Sequence, residues 1–194
     1  EESDATYNLS SPLTITISQS TNSQSTNPQY PNSLTPQGVV VHVCPDAYER
    51  DDTPADSRLI QPGESQAHNF DGHTGLGVAD KDWVHFAVQP LYTYTFTTSG
   101  LTPLADTVIT LFAPDGVTVL GENDDDPALG EPGASRLVWT APPDASGDYY
   151  LRVVNADPTA FEDCANTQVR YVLTLAASSP YPYGLYLPLV LKDG

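Results

Sequence analysis

The stretch WVHFAVQPLYTYTFTT, residues 83–98, contains two short runs of β-branched and aromatic side chains that flank a Gln-Pro-Leu segment. Such side chains favour extended strands, whereas Pro lacks the backbone N–H that a strand ladder needs. The stretch therefore predicts two strands joined by a turn. Further candidate strands have a similar composition: VVVHV from Val39, TVITLFA from Thr107, VTVL from Val117, RLVWTA from Arg136, DYYLRVV from Asp148 and VRYVLTLA from Val169.

Turn-forming residues separate these candidate strands, at Ser99–Gly100, Pro114–Gly116, Pro142–Gly147 and Asn155–Pro158. Seven or more strands at this spacing are typical of an antiparallel sandwich. Strong helix formers are scarce, because the chain has no Met and only 7 Lys and Arg residues together, against 18 Pro and 13 Gly. We therefore expect an all-β fold, a jelly-roll-like antiparallel β-sandwich with strand extensions at both ends.

The 194 residues suffice for one domain with extensions. Residues 1–38 form a predicted Ser/Thr/Asn-rich N-terminal extension, and residues 39–176 form the predicted sandwich. Residues 177–194 hold a Pro/Tyr turn and the apolar run LYLPLVL, either a final strand or an attachment segment. That run is much shorter than the ~20 apolar residues of a membrane-spanning helix, so no membrane span is predicted.

One segment of the N-terminal extension, LTITIS, alternates the apolar residues Leu13, Ile15 and Ile17 with hydroxyl side chains. This period of two is typical of a strand with one buried face. Two interpretations are open. The segment is either the first strand of its own domain or a donor strand that completes an open sheet edge of the next copy. Head-to-tail donation does not close on itself, so it would build a filament.

The formal net charge is −18, from 25 acidic residues against 7 basic ones. Nucleic acids and anionic membranes are poor partners for such a chain, whereas cations are natural ones. The alternative is that the acidity only keeps an extracellular protein soluble. The sequence has neither an initiating Met nor a targeting peptide, which indicates the mature product of export. We expect a secreted protein, extracellular or at the cell surface.

Two covalent features fit that location. Cys44 and Cys164 are the two cysteines of the chain, and in an oxidising compartment they predict a single disulfide, with two buried free thiols as the alternative. The sequence Asn8-Leu9-Ser10 is an N-glycosylation-type sequon, which makes Asn8 a possible glycosylation site.

Three acidic clusters lie where loops are expected between the predicted strands. They are Asp46, Glu49, Asp51 and Asp52; Asp80 and Asp82; and Asn123, Asp124, Asp125 and Asp126. Carboxylates this dense repel one another, so a fold that brings them together normally supplies a cation. Ca²⁺ fits best because it takes six to eight oxygen ligands in flexible geometry. For the last cluster, the alternative is a solvated turn.

From Asp46 onward the chain resembles the bacterial pre-peptidase C-terminal (PPC) domain family, which includes the collagen-binding domains of clostridial collagenases. The resemblance covers roughly residues 45–176. Five segments in family order carry it: DAYERDDTPADSRLIQPGESQAHNF, DKDWVHFAV, LADTVITLFAPDGVTVLGENDDD, SRLVWTAP and SGDYYLRVV.

The resemblance implies a calcium site that joins the acidic opening segment to the Asp-rich stretch before the aromatic strand. On matching positions, its ligands would be Glu49, Asp51 and Asp52, with Asp80 and Asp82. Ala47 stands where some family members have a further acidic ligand, so Asp46, water or a backbone carbonyl would complete the shell. A second possible metal site would use Asn123, Asp124, Asp125 and Asp126 with Asp106 or Asp115.

No motif for nucleophilic, zinc-dependent or phosphate-transfer chemistry is found in the sequence. We therefore expect a non-catalytic protein. The first hypothesis is a structural or adhesive extracellular protein that assembles with copies of itself. The alternative, which the resemblance implies, is an accessory module that binds an extracellular polymer such as collagen or polysaccharide and was originally linked to a secreted peptidase. That alternative predicts an exposed aromatic sheet face.

Overall fold

A computed structural model describes residues 13–16, 40–43, 45–71, 80–160 and 168–181. These residues form eleven strands and one short 3₁₀ turn at Pro127–Leu129. The strands are β1 Leu13–Thr16, β2 Val40–Val43, β3 Arg58–Leu59, β4 Ser65–Asn69, β5 Asp82–Ala87, β6 Thr93–Ser99, β7 Thr107–Phe112, β8 Val119–Asp124, β9 Arg136–Thr140, β10 Asp148–Asn155 and β11 Arg170–Ser178.

Strands β3 to β11 are arranged in two sheets, of order β3-β5-β10-β7-β8 and β4-β11-β6-β9. All of their pairings are antiparallel except that between β3 and β5. The expected all-β antiparallel sandwich is therefore confirmed. The sequence alone did not indicate β3 and β4, since Ser65–Asn69 reads SQAHN and lacks β-branched or large aromatic residues.

The core lies between the two sheets and follows the strand periodicity. In β6, Tyr94 and Phe96 are buried and alternate with half-buried threonines. Phe86 of β5 meets Phe96 of the opposite sheet edge-on, with ring centroids 4.9 Å apart. Leu151 of β10 is also fully buried between the sheets. Each such side chain contributes about 1.5–3 kcal/mol through burial.

Strands β1 and β2 form a two-stranded sheet outside both sandwich sheets. They pair antiparallel, with Leu13 opposite Val43 and Thr16 opposite Val40. The LTITIS segment therefore pairs with a strand of its own chain. Donation of this segment to another copy stays a prediction.

The secondary structure of the acidic run Asn123–Asp126 differs from the prediction. It was expected to lie in a loop, but Asn123 and Asp124 belong to β8, where Asp124 is paired with Val108 of β7. The strand ends because Asp125 adopts a φ of +60°, a left-handed conformation that interrupts the ladder.

Candidate metal centre

The segment before β3 is pinned to the sandwich by backbone and side-chain hydrogen bonds. Asp46 Oδ2 accepts a hydrogen bond from the backbone N–H of Asn69, at the end of β4, at 2.9 Å. The Arg58 guanidinium donates to the carbonyls of Tyr48 and Glu49, at 2.5 and 3.0 Å. The backbone N–H of Trp83 donates to the carbonyl of Asp51 at 3.0 Å. Residues 46–51 thus lie across the ends of β4 and β5.

This placement brings two groups of carboxylates together. One group is Glu49, Asp51 and Asp82, and the other is Glu49, Asp71 and Asp80. Within each group the candidate ligand oxygens lie within 4.8 Å of one another. Because Glu49 belongs to both groups, the two positions are adjacent and share one carboxylate.

Two of these carboxylates, Asp80 and Asp82, accept hydrogen bonds from neighbouring groups. Asp80 Oδ2 accepts a hydrogen bond from the backbone N–H of Asp71 at 2.6 Å, and its Oδ1 accepts from the backbone N–H of Lys81 at 2.8 Å. Asp82 Oδ2 accepts from the hydroxyl of Tyr171 on β11. These hydrogen bonds therefore orient the side chains of Asp80 and Asp82.

Several carboxylate oxygens are buried and lack a donor. Both oxygens of Glu49, both oxygens of Asp51 and Oδ1 of Asp82 have no hydrogen-bond partner among the residues that the structure describes. Asp51 and Asp82 are each only 1% exposed. Buried charges without a partner are strongly unfavourable, so this arrangement needs a proton or a metal ion.

The pKa values of these groups reflect that cost. Burial, followed by repulsion from Asp80 and Asp71, raises the pKa of Glu49 to about 10. Burial, followed by the charges of Asp46 and Asp80, raises the pKa of Asp51 to about 8.

Two further pKa values follow the same physics. Burial, followed by the charge of Asp71, raises the pKa of Asp80 to about 7. Burial, followed by the charges of Asp80 and Asp51, raises the pKa of Asp82 well above its ordinary value. A divalent cation would remove this penalty by replacing the protons.

The structure brings together four of the five predicted ligands: Glu49, Asp51, Asp80 and Asp82. Asp52 is outside both groups, although its charge contributes to the raised pKa of Asp80. Asp71 was not predicted, because its position depends on β4, which the sequence did not indicate.

His68 was also missed as a site residue. It lies on β4 and packs against the rings of Tyr48 and Tyr171, with centroid distances of 4.8 and 5.5 Å. Its Nδ1 lies near the carboxylates of Asp46 and Asp82, and these three residues form a further group of candidate ligands. Asp46, expected as a possible additional ligand, is therefore at the edge of the same centre.

The second predicted site is smaller than expected. Asp106, Asp124 and Asp125 place carboxylate oxygens within 4.8 Å of one another. Burial, followed by the charges of Asp125 and Asp124, raises the pKa of Asp106. Gly133, at a φ of +75°, permits this packing, since a Cβ there would lie 3.0 Å from the carbonyl oxygen of Ala105.

Other predicted members of this second site interact elsewhere. Asn123 Oδ1 accepts the backbone N–H of Arg136 at 2.8 Å. Asp126 accepts the N–H of Ala128 at the start of the 3₁₀ turn and forms an ion pair with the Arg136 guanidinium at 2.6 Å. Asp115 accepts the N–H groups of Val117 and Thr118 within its own turn.

Three predicted residues lie outside the described part of the chain. They are Cys44, Cys164 and Asn8, so the disulfide and the glycosylation site stay predictions. Among the described residues, no helix is long and apolar enough to cross a membrane.

The sequence matches no protein-family model and no curated protein. Its fold is similar to that of the pre-peptidase C-terminal domain of collagenase from Bacillus anthracis, with a TM-score of 0.42 and 15% identity over 61% of this chain and 93% of that domain. It is also similar to PliG, a periplasmic inhibitor of g-type lysozyme. The Aeromonas hydrophila protein has a TM-score of 0.37 and 17% identity over 63% of this chain and 99% of that one. The Salmonella Typhimurium protein has a TM-score of 0.35 and 17% identity over 63% of this chain and 100% of that one. These are distant likenesses, so a functional assignment rests on the site itself.

Proposed function

We propose that this protein is a secreted, non-catalytic, calcium-binding β-sandwich that acts as a structural or adhesive module outside the cell. One observation carries the proposal. The buried carboxylates of Glu49, Asp51 and Asp82 converge, and none of their five inward oxygens meets a hydrogen-bond donor among the described residues.

Calcium suits this donor set better than other common ions. The groups around Glu49 supply carboxylate oxygens, the hard ligands that Ca²⁺ prefers. Zinc and copper favour nitrogen or sulfur ligands, and Mg²⁺ retains most of its water. Glu49 would bridge two adjacent calcium positions, one completed by Asp51 and Asp82 and the other by Asp71 and Asp80.

The bound calcium would stabilise the junction between the N-terminal segment and the sandwich. Glu49 and Asp51 lie before β3, whereas Asp80 and Asp82 lie at the start of β5. Ions shared between these elements would fix the direction in which residues before Asp46 leave the sandwich. Extracellular calcium modules work with dissociation constants of about 10⁻⁴–10⁻³ M, which suits a module that is rigid only outside the cell.

The proposed structural role includes self-assembly through the N-terminal strand. The β1 segment has one apolar face by its alternation, and main-chain pairing with an open edge would supply both hydrogen bonds and register. The full chain should form filaments visible by electron microscopy. Deletion of residues 1–37 should abolish these filaments and give a monomer in size exclusion. If assembly is unchanged by the deletion, donor-strand exchange is wrong.

The polymer-binding alternative is less well supported. It requires exposed aromatic side chains on a sheet face, whereas the large apolar side chains exposed in the described residues are aliphatic apart from Tyr181. The most exposed is Val117, at 76%. We therefore favour the structural role.

Thermal melting with and without calcium tests the calcium proposal. At a free calcium concentration ten times the Kd of each position, the two ions together stabilise the folded state by about 2.8 kcal/mol, so Tm should rise by about 5–10 °C over the value in EDTA. Magnesium at the same concentration should give a much smaller shift. Isothermal titration should show two calcium ions per chain, and Asp144→Asn, which removes an exposed acidic residue outside the centre, should behave like the wild type. Equal Tm values in calcium and EDTA would refute the proposal.

A further inference from the structure

His68 is a buried imidazole beside the acidic centre. It lies on β4 opposite Tyr171 of β11 and is only 2% exposed. The rings of Tyr48 and Tyr171 both pack against it. Its side chain is therefore held in one orientation, with one ring nitrogen facing Gln66 and the other facing Asp46 and Asp82.

The hydrogen bonds of Gln66 fix which nitrogen of His68 carries the proton in the neutral ring. The Gln66 side-chain NH₂ donates to the carbonyl of Leu59 at 2.8 Å, so its amide oxygen faces His68. That oxygen can only accept, and it lies 3.3 Å from His68 Nε2. Nε2 therefore carries the hydrogen, and neutral His68 presents the lone pair of Nδ1.

This lone pair faces two carboxylates. His68 Nδ1 lies 3.3 Å from Asp46 Oδ2 and 3.7 Å from Asp82 Oδ1. Neither Nδ1 nor Asp82 Oδ1 has a hydrogen-bond partner within the described part of the chain. A lone pair directed at two carboxylate oxygens is repulsive, so a cation must lie between them, either a proton on Nδ1 or a metal ion.

We propose that Asp46, His68 and Asp82 form a third cation position that binds a divalent transition-metal ion of the Zn²⁺ type. The donor set differs from that of the two calcium positions because it includes an imidazole nitrogen, which borderline metals prefer and calcium does not. Zn–N and Zn–O bonds of about 2.0–2.1 Å in a tetrahedral site place neighbouring ligands roughly 3.3 Å apart. The distance from Nδ1 to Asp46 matches this spacing.

The surroundings of His68 also suit a metal ligand. Histidines that bind metals usually donate their second N–H to an oxygen acceptor, which orients the ring, and Gln66 provides that acceptor here. A surface pocket of about 460 Å³ opens beside Asp46 and His68 and is lined as well by Asn69 and Tyr171. This pocket gives an ion a route of entry and leaves room for water as a fourth ligand.

The position shares Asp82 with the proposed calcium centre and differs from it by a nitrogen ligand, which belongs to no calcium group. Occupancy would tie Asp46, on the segment before β3, to β4 and β5. The module would then bind two chemically different kinds of ion at one junction.

Titration of the whole chain with ZnCl₂ in saturating calcium tests this site. We expect one tight zinc ion per chain. His68→Asn should weaken zinc binding by at least tenfold and leave calcium binding within about twofold of wild type. His85→Asn is the matched control, since His85 lies on β5 with its Nδ1 3.0 Å from the Ser57 hydroxyl and belongs to no group of candidate ligands. Equal zinc affinity in wild type and His68→Asn would overturn the proposal.

A measurement on the wild type does not depend on how well the variants fold. In ¹⁵N-histidine NMR, zinc should shift the Nδ1 signal of His68 and leave its Nε2 protonated. If Nδ1 carries a proton at pH 7 and zinc does not displace it, His68 is an imidazolium that neutralises Asp46 and Asp82, and the third metal position is wrong. If the wild type binds zinc but not calcium, only the calcium proposal is refuted.

Discussion

The hydroxyl of Tyr171, on β11, donates a hydrogen bond to Asp82 Oδ2, on β5 in the opposite sheet, at 2.5 Å. Both side chains are buried, Tyr171 and Asp82 each at 1% exposure. The contact links the two sheets directly behind the acidic centre, and burial with the neighbouring charge of Asp82 raises the pKa of the Tyr171 hydroxyl well above its ordinary value. Tyr171 therefore acts as a fixed donor that orients one ligand carboxylate.

Replacing Tyr171 with Phe removes that donor and leaves a buried carboxylate oxygen unsatisfied. Hydrogen bonds to charged groups contribute about 1.5–3 kcal/mol, so the variant should lose about that much stability in calcium. In EDTA at pH 5 the loss should be smaller, because the raised pKa of Asp82 favours its protonated form. Urea denaturation under both conditions measures the difference. An equal loss in both would show that the contribution of the Tyr171 hydroxyl does not depend on the charge of Asp82.

Glu49→Gln should have opposite effects on stability in EDTA and in calcium. In EDTA at pH 8 the substitution removes a buried acidic group whose pKa is raised to about 10, so the variant should be at least as stable as wild type. In calcium it removes the shared ligand, and most of the calcium-induced rise in Tm should disappear. Asp144→Asn loses the same charge on the exposed surface and should change Tm by less than about 1 °C in either buffer. A Glu49→Gln variant with the full calcium response would mean that Glu49 is not a ligand.

A hydroxyl network stabilises the second acidic group, formed by Asp106, Asp124 and Asp125. Ser135 donates to the carbonyl of Thr107 at 2.6 Å and accepts the backbone N–H of Asp125 at 3.0 Å. Ser135→Ala leaves both groups unpaired and should cost about 1–3 kcal/mol. The exposed Ser146→Ala should be neutral. Calcium titration of Ser135→Ala should match the wild type, because the network does not touch Glu49 or Asp51, and an altered affinity would show that the two acidic groups are coupled.

The parts of the fold predicted from sequence are those with local signals. Strand β6 combines alternating aromatic residues with bounding turns, so its limits are within one residue of the predicted run. Strand β4 has no such signal. Its residues are strand because β11 pairs with them, with His68 opposite Tyr171, a contact between residues far apart in the chain.

The candidate site also contains residues that the sequence predicted and residues that it did not. Glu49, Asp51, Asp80 and Asp82 were predicted from dense acidic runs and the family resemblance, and all four converge. Asp71 and His68 are single residues in a polar stretch, and only the register of β4 against β11 brings His68 to the centre. The sequence indicates where charge accumulates, whereas which charges meet depends on strand pairing.

The raised pKa values predict that stability falls with rising pH in EDTA but not in calcium. In EDTA, the folded protein holds protons on Asp80, Asp51 and Glu49 up to pH values of about 7, 8 and 10, whereas the unfolded chain releases them near pH 4. The folded state therefore binds more protons across this window, and stability falls as pH rises. Calcium replaces the protons, so the decline should be absent in calcium and the difference in Tm should widen from near zero at pH 5 to about 5–10 °C at pH 8.5. Melting scans at half-unit pH steps measure both curves, with Glu49→Gln as the control that should make the decline in EDTA less steep. Parallel curves across the range would show that these carboxylates do not exchange protons for calcium.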